Sequence, residues 1–227
     1  MIDQALTFAD GFDGVRWALA ALSLLASIAY LAIEARPASL LRTGLKTAAI
    51  GLLIPLPFLS LHAANAAPLA LIALAAAFLF SSLGDYFLAL ADEERNFPRG
   101  LGSFLVAHIF YLIVLLPLAV VPQGPYLAGA ATLLAFVVVT LALLWPRLGA
   151  LRLPVLLYMA VITAMALAAF SVPLPWLGIG ALLFVLSDTV IAMAKFVWAV
   201  PLRGPVVWTT YYSGQALIAL SLLGYLR

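Results

Sequence analysis

The chain has no cysteine, two histidines and only 9% charged residues among 227. Without cysteine there is no disulfide, no thiolate nucleophile and no cysteine-ligated zinc. Soluble domains carry about 25% Asp, Glu, Lys and Arg, so the scarcity of charge excludes an ordinary globular surface. A net charge of +2, with no basic patch interleaved with aromatics, gives no footing for a nucleic-acid partner. The first residues, MIDQALTFADGFDG, are acidic and lack the basic start of a signal peptide, so residues 1–15 read as a short retained tail. Sustained period-two alternation is missing as well, which argues against a transmembrane β-barrel.

What is present is apolar length. Hydrophobic residues make up 67% of the chain and the mean hydropathy is +1.20. A helix of about 20 apolar residues crosses a hydrocarbon core of about 30 Å. About eight such segments lie near 16–34, 40–61, 67–91, 101–121, 125–145, 152–171, 175–195 and 205–226. The reading is therefore an all-α, polytopic membrane protein, residues 16–227 forming one bundle of about eight transmembrane helices. Its linkers are short and rich in Pro, Gly or charge, as in EARPAS, ADEERNFPRG, WPRLGALR and AVPLRGP. Arg36 and Arg42, Arg95 and Arg99, Arg147 and Arg152, and Lys195 and Arg203 fall in or beside alternate linkers. The intervening ones, around His62, Gln123 and Pro173, have no Lys or Arg. The positive-inside rule puts the charged linkers in the cytoplasm and both termini outside. Short loops and the absence of a targeting signal suit a bacterial inner membrane.

Two aspartates interrupt the apolar runs: Asp85 in LFSSLGDYFLALA and Asp188 in LFVLSDTVIAMA. A carboxylate inside a bilayer costs at least about 2.5 kcal/mol, so its retention points to function. The two stretches align with the aspartates superposed after one gap, and His108 and Tyr211 follow them at the same spacing. Four helices separate the copies, which suggests a parallel 4+4 internal repeat.

Other polar side chains share their depth. Asp85 precedes Asp92 by seven residues and Asp188 precedes Lys195 by seven; Lys46 follows Arg42 by four, Tyr158 follows Arg152 by six, and Tyr212 follows Arg203 by nine. With His108, these groups lie roughly 6–14 Å below the charged end at 1.5 Å per residue. His108 and Tyr111 share a helix face at i, i+3, as Tyr211 and Gln215 do at i, i+4. Polar groups at one level belong in a bundle interior or a wet cavity. Plainer roles stand beside these. Tyr158, Tyr211 and Tyr212 also suit an interfacial aromatic belt, Lys46 could snorkel to the headgroups, and Ser82 and Ser187 suit helix packing.

Two carboxylates held in different surroundings can act as acid and base. That chemistry suits hydrolysis through an oxocarbenium-like cation, with a membrane lipid as substrate and its headgroup toward the cytoplasm. It calls for no metal and no cofactor. A metal on Asp85, Asp188 and His108 is an alternative, although zinc enzymes use about three strong ligands and His62 lies toward the other face. A proton-coupled or small-solute transporter is a second alternative, because acidic midplane groups in parallel repeats also serve proton relays. The almost purely apolar outer halves of the helices weigh toward an enzyme.

The motifs resemble the YhhN-like family of membrane proteins. The resemblance rests on GDYFLAL at 84–90, on Phe97, Gly100, Leu101, Phe104, His108 and Tyr111, on GALLFVLSDTVIA at 180–192 and on TYYSGQALI at 210–218. Lys46 stands at a basic position of the family's second helix, while Ala107 stands where glycine is common. The resemblance implies an eight-helix lysoplasmalogenase that releases a fatty aldehyde and glycerophosphoethanolamine or glycerophosphocholine, with another lysolipid as the alternative substrate. It implies that Asp85 and Asp188 are catalytic. His108, Tyr111, Tyr158, Tyr211, Tyr212 and Gln215 would then position water, carboxylates or substrate, and Lys46 would bind the substrate's phosphate or lower the pKa of one aspartate.

Overall fold

The computed structural model describes residues 2–63 and 65–227, and every regular element among them is helical. After a short α1 (Ile2–Leu6), the chain forms α2 (Asp13–Ile33), α3 (Leu40–Gly51), α4 (Pro55–Leu59), α5 (Pro68–Ala89) and α6 (Glu93–Leu115). It continues through α7 (Pro125–Leu144), α8 (Arg152–Phe170), α9 (Pro175–Phe196) and α10 (Arg203–Tyr225). Seven spans among the described residues are long and apolar enough to cross a membrane: α2, the stretch Leu40–His62, α5, α6 with the turn after it, α7 with the turn after it, the stretch Gly149–Phe170, and α9. Their outward positions carry side chains such as Leu25, Leu40, Val138 and Leu153, all more than half exposed. Apolar surface on that scale is what a bilayer covers. The chain is a multi-pass membrane protein.

The expected eighth span, 205–226, is α10. At 23 residues it has the length, and the polar run Thr209–Gln215 is what dilutes its hydropathy. Two expected boundaries also differ. The linker ADEERNFPRG is largely helical, because α6 begins at Glu93 rather than at 101; two glutamates in its first turn face the positive end of the helix dipole. The expected single helix over 40–61 is broken after Gly51. Pro55 has no N–H for the Gly51 carbonyl, which accepts from Ile54 N at 3.2 Å instead and tightens the backbone there.

The chain divides into two compact units, one of residues up to Val114 with Ala219–Arg227, the other of Leu115–Ile218. In the first, α3 packs against both α2 and α5. Ser23 Oγ on α2 donates to the Ala49 carbonyl at 2.5 Å, and Ser82 Oγ on α5 donates to the Thr47 carbonyl at 3.0 Å. Hydroxyl-to-carbonyl stitches of this kind hold helices together where no hydrophobic effect separates them from lipid. The segment before Arg16 is folded into this unit. Arg16 is fully buried, and its guanidinium bonds Asp10, Asp13 at 2.9 Å and the Leu59 carbonyl at 2.7 Å over the face of Phe8. The hydrogen bond from Arg16 holds the Asp10 carboxyl down at a pKa of about 2. Leu226 returns a carbonyl to the Ala67 N–H at 3.0 Å, tying the end of the chain to the start of α5.

In the second unit α7, α8 and α9 pack on one another. Helix α10 meets α9 backbone to backbone at two glycines. A Cβ on Gly180 would stand 2.9 Å from the Gly214 carbonyl oxygen, and one on Gly214 would stand 2.8 Å from that of Gly180. No confirmation of the 4+4 repeat emerges. Helices α5 and α9 both have 22 residues and both start on proline. Yet Asp85 lies four residues from the end of α5 and Asp188 eight from the end of α9.

Candidate functional site

Asp85 sits one turn from the end of α5 and is 1% exposed. Its carboxylate faces α3, where the Lys46 ammonium lies 3.6 Å away with its side chain 13% exposed. The register that brings them together comes from the serine one turn earlier: Ser82 bonds the carbonyl of Thr47, the residue after Lys46. Two charges withdrawn from water this far repay their desolvation only as a pair. Tyr30 on α2, buried, closes the third side. The Lys46 ammonium and the Arg42 guanidinium each lie 5.9 Å from its ring centre.

On α6, His108 and Tyr111 are both fully buried, their rings 6.4 Å apart. His108 Nδ1 lies 2.5 Å from the Phe104 carbonyl oxygen. A carbonyl only accepts, so Nδ1 is the donor in this contact. Tyr111 meets the edge of Phe78 at 6.2 Å. The family-like glycines have a packing reason. A Cβ on Gly84 would lie 2.6 Å from the Phe104 ring, and one on Gly100 would lie 2.7 Å from Leu88 Cδ2. Both let α6 press against α5 beside Asp85. Ala107, beside His108, is fully buried.

In the second unit Asp188 is half-buried on α9. Tyr158 on α8 donates its hydroxyl to Asp188 Oδ2, and the single hydroxyl hydrogen of Ser187 is shared between the Phe184 carbonyl at 2.9 Å and Asp188 Oδ1 at 3.3 Å. On α10, Gln215 Nε2 donates to the Tyr211 hydroxyl at 3.3 Å. The Tyr211 ring packs edge-on against Phe184 at 5.2 Å and tilted against Trp208 at 5.7 Å. Tyr212 stacks on Trp208 at 6.1 Å and is half-buried. Tyr158 and Tyr211 are buried, which separates them from a lipid-facing aromatic belt.

The structure thus joins Lys46 to Asp85, Tyr158 to Asp188, His108 to Tyr111 and Tyr211 to Gln215. Sequence reasoning passed over Tyr30 and Arg42. Tyr30 lies four residues before Glu34, the same short distance from the charged end as Lys46 from Arg42, so the depth criterion applied elsewhere would have found it. Among the described residues, no three or more His, Cys, Asp or Glu side chains gather as a metal centre would require. Deep in its apolar helices each unit instead offers a carboxylate with hydrogen-bonding or charged partners, Asp85 in the first and Asp188 in the second, the groups that proton transfer needs.

The YhhN family model matches residues 41–222. A lysoplasmalogenase of Mycobacterium bovis is 34% identical over 149 residues, which is 63% of this chain and 57% of that protein. Lysoplasmalogenase TMEM86A of Bos taurus is 35% identical over 157 residues, and its Homo sapiens counterpart 36% over 156; each alignment takes 63% of this chain and 62% of the relative. The chain therefore spans about three fifths of the length of these curated relatives. No solved structure matches.

Proposed function

The chain belongs to the YhhN family, and on that premise we propose that it is a membrane hydrolase of lysoplasmalogens. It cleaves the vinyl ether at the first glycerol carbon, giving a fatty aldehyde and glycerophosphoethanolamine or glycerophosphocholine. The observation that carries this reading is chemical. Both aspartates of the resembling motifs stand on long apolar helices, Asp85 buried and Asp188 half-buried, and each is engaged by its own partners, Lys46 for Asp85 and Tyr158 with Ser187 for Asp188. The names of the relatives support the same substrate.

As far as the hemiacetal the reaction needs two proton transfers. A proton goes to the β-carbon of the vinyl ether, and its π electrons leave an oxocarbenium ion at the α-carbon. Water adds there, losing a proton to a base; the hemiacetal then gives up its hydroxyl proton as the departing glycerol oxygen takes one, leaving aldehyde and alcohol. Carboxylic acid and carboxylate suffice for both transfers, and Asp85 and Asp188 supply them. His108, Tyr111, Tyr211, Tyr212 and Gln215 position water and the lipid. The lipid headgroup lies toward the charged linkers, at the cytoplasmic face of a bacterial inner membrane. Transport has less behind it, since the relatives carry the name of a hydrolase.

Purified protein in detergent, given lysolipids that differ only at the first glycerol carbon, tests the reading. The vinyl ether releases aldehyde, while the saturated alkyl ether and the ester are left intact. Release of fatty acid from the ester as fast as aldehyde from the vinyl ether contradicts it.

A further inference from the structure

Resting on the lysolipid-hydrolase reading above, we propose that Arg42, rather than Lys46, receives the phosphodiester of the substrate. Two cations stand one turn apart on α3, both beside the ring of Tyr30. Their charges are differently occupied. Lys46 is paired with Asp85 at 3.6 Å. Arg42 makes no ion pair among the described residues, although it is half-buried. Its guanidinium is held by neutral partners: Nε donates to Glu34 O at 3.0 Å and Nη1 to Ala89 O at 3.1 Å, at the ends of α2 and α5, and the Tyr30 side chain is a further hydrogen-bonding neighbour. Those bonds orient the fork without neutralising it, and Nη2 takes part in neither. A planar cation fixed in this way is suited to a phosphate oxygen.

The spacing fits a lysoglycerophospholipid. Four residues of helix rise about 6 Å, close to the length of the glycerol unit that separates phosphate from the ether at the first carbon. A phosphate on Arg42, at the charged end, sets that ether at the level of Lys46 and Asp85. The acyl-like chain then continues toward the apolar half of the helices. Tyr30 keeps both cations in line, and it lies on α2, outside the stretch 41–222 that matches the family.

The plain alternative is that Arg42 only caps two helices, and kinetics on two substrates separate the readings. Arg42→Gln is assayed with a lysoplasmalogen and with the phosphate-free 1-O-alkenylglycerol. The KM for the lysoplasmalogen is expected to rise about tenfold or more with kcat nearly unchanged, while the alkenylglycerol is turned over as by the wild type. An equal loss on both substrates, or an unchanged KM, overturns the proposal. Binding is read separately, so that failure of the hydrolase reading is recognised. Lysophosphatidylethanolamine should raise the unfolding temperature of the wild type more than monoacylglycerol does, and Arg42→Gln should abolish the difference. Equal shifts from both lipids in the wild type, or equal protection by inorganic phosphate, overturn the assignment even if no substrate is cleaved.

Discussion

Lys46 and Asp85 hold opposite charges 3.6 Å apart where their side chains are 13% and 2% exposed. Removing one partner of such a pair leaves a buried charge uncompensated and costs about 3–5 kcal/mol, more than the pair contributes against an apolar replacement. Lys46→Met is therefore expected to destabilise the protein by about 3 kcal/mol, and adding Asp85→Asn to it should restore most of the loss. Denaturation in detergent measures this, and a double variant weaker than Lys46→Met contradicts the pairing. The sequence placed these two residues at one depth, and each had a stated reason to face inward. It did not distinguish snorkelling from pairing, because a lysine stem reaches either way. Arg16 was illegible for a related reason. Taken as the first residue of a span, it is instead wholly buried among Asp10, Asp13 and the Leu59 carbonyl. Partners that close a turn before a helix leave no periodic signal.

At the scale of elements, the glycines of the motifs set how near the helices come. Gly180 and Gly214 face each other's carbonyl oxygens, and backbone has no rotamer with which to give way. Either Gly180→Ala or Gly214→Ala should lower stability by about 1–3 kcal/mol, the usual cost of overpacking. The double variant should cost less than the sum, since one methyl already parts α9 from α10. Additive losses in thermal unfolding contradict that contact. Most spans were legible from hydropathy because a run of about 20 apolar residues has few alternatives. The break after Gly51 was not, since Pro55 and Pro57 stand in an otherwise continuous apolar run and proline is tolerated in membrane helices. The start of α6 was missed because hydropathy discounts the charged turn that caps it.

For the whole molecule, the uneven basic residues define one end of the helices, and the proposed cytoplasmic placement of that end has a convenient test. The chain has no cysteine, so single cysteines can be introduced at Gln123 and at Arg95. An impermeant maleimide added to intact cells should label the first and not the second; the reverse pattern contradicts the orientation. Composition carried the membrane class, while the polarity read from charge spacing and the chemistry read from the two aspartates are proposals. The partners of those aspartates, Tyr158 above all, came only with the folded helices, because a tyrosine near a helix end looks the same in a belt as in a core. The central claim is that both carboxylates carry out vinyl-ether hydrolysis. The most direct measurement is aldehyde release from a synthetic lysoplasmalogen in deuterated water by the wild type, Asp85→Asn and Asp188→Asn, with the aldehyde trapped as it forms. The account predicts one deuterium at the aldehyde's second carbon from the wild type, and a rate at least about 100-fold lower in either folded variant. Wild-type turnover in either variant, or aldehyde without deuterium, would contradict it.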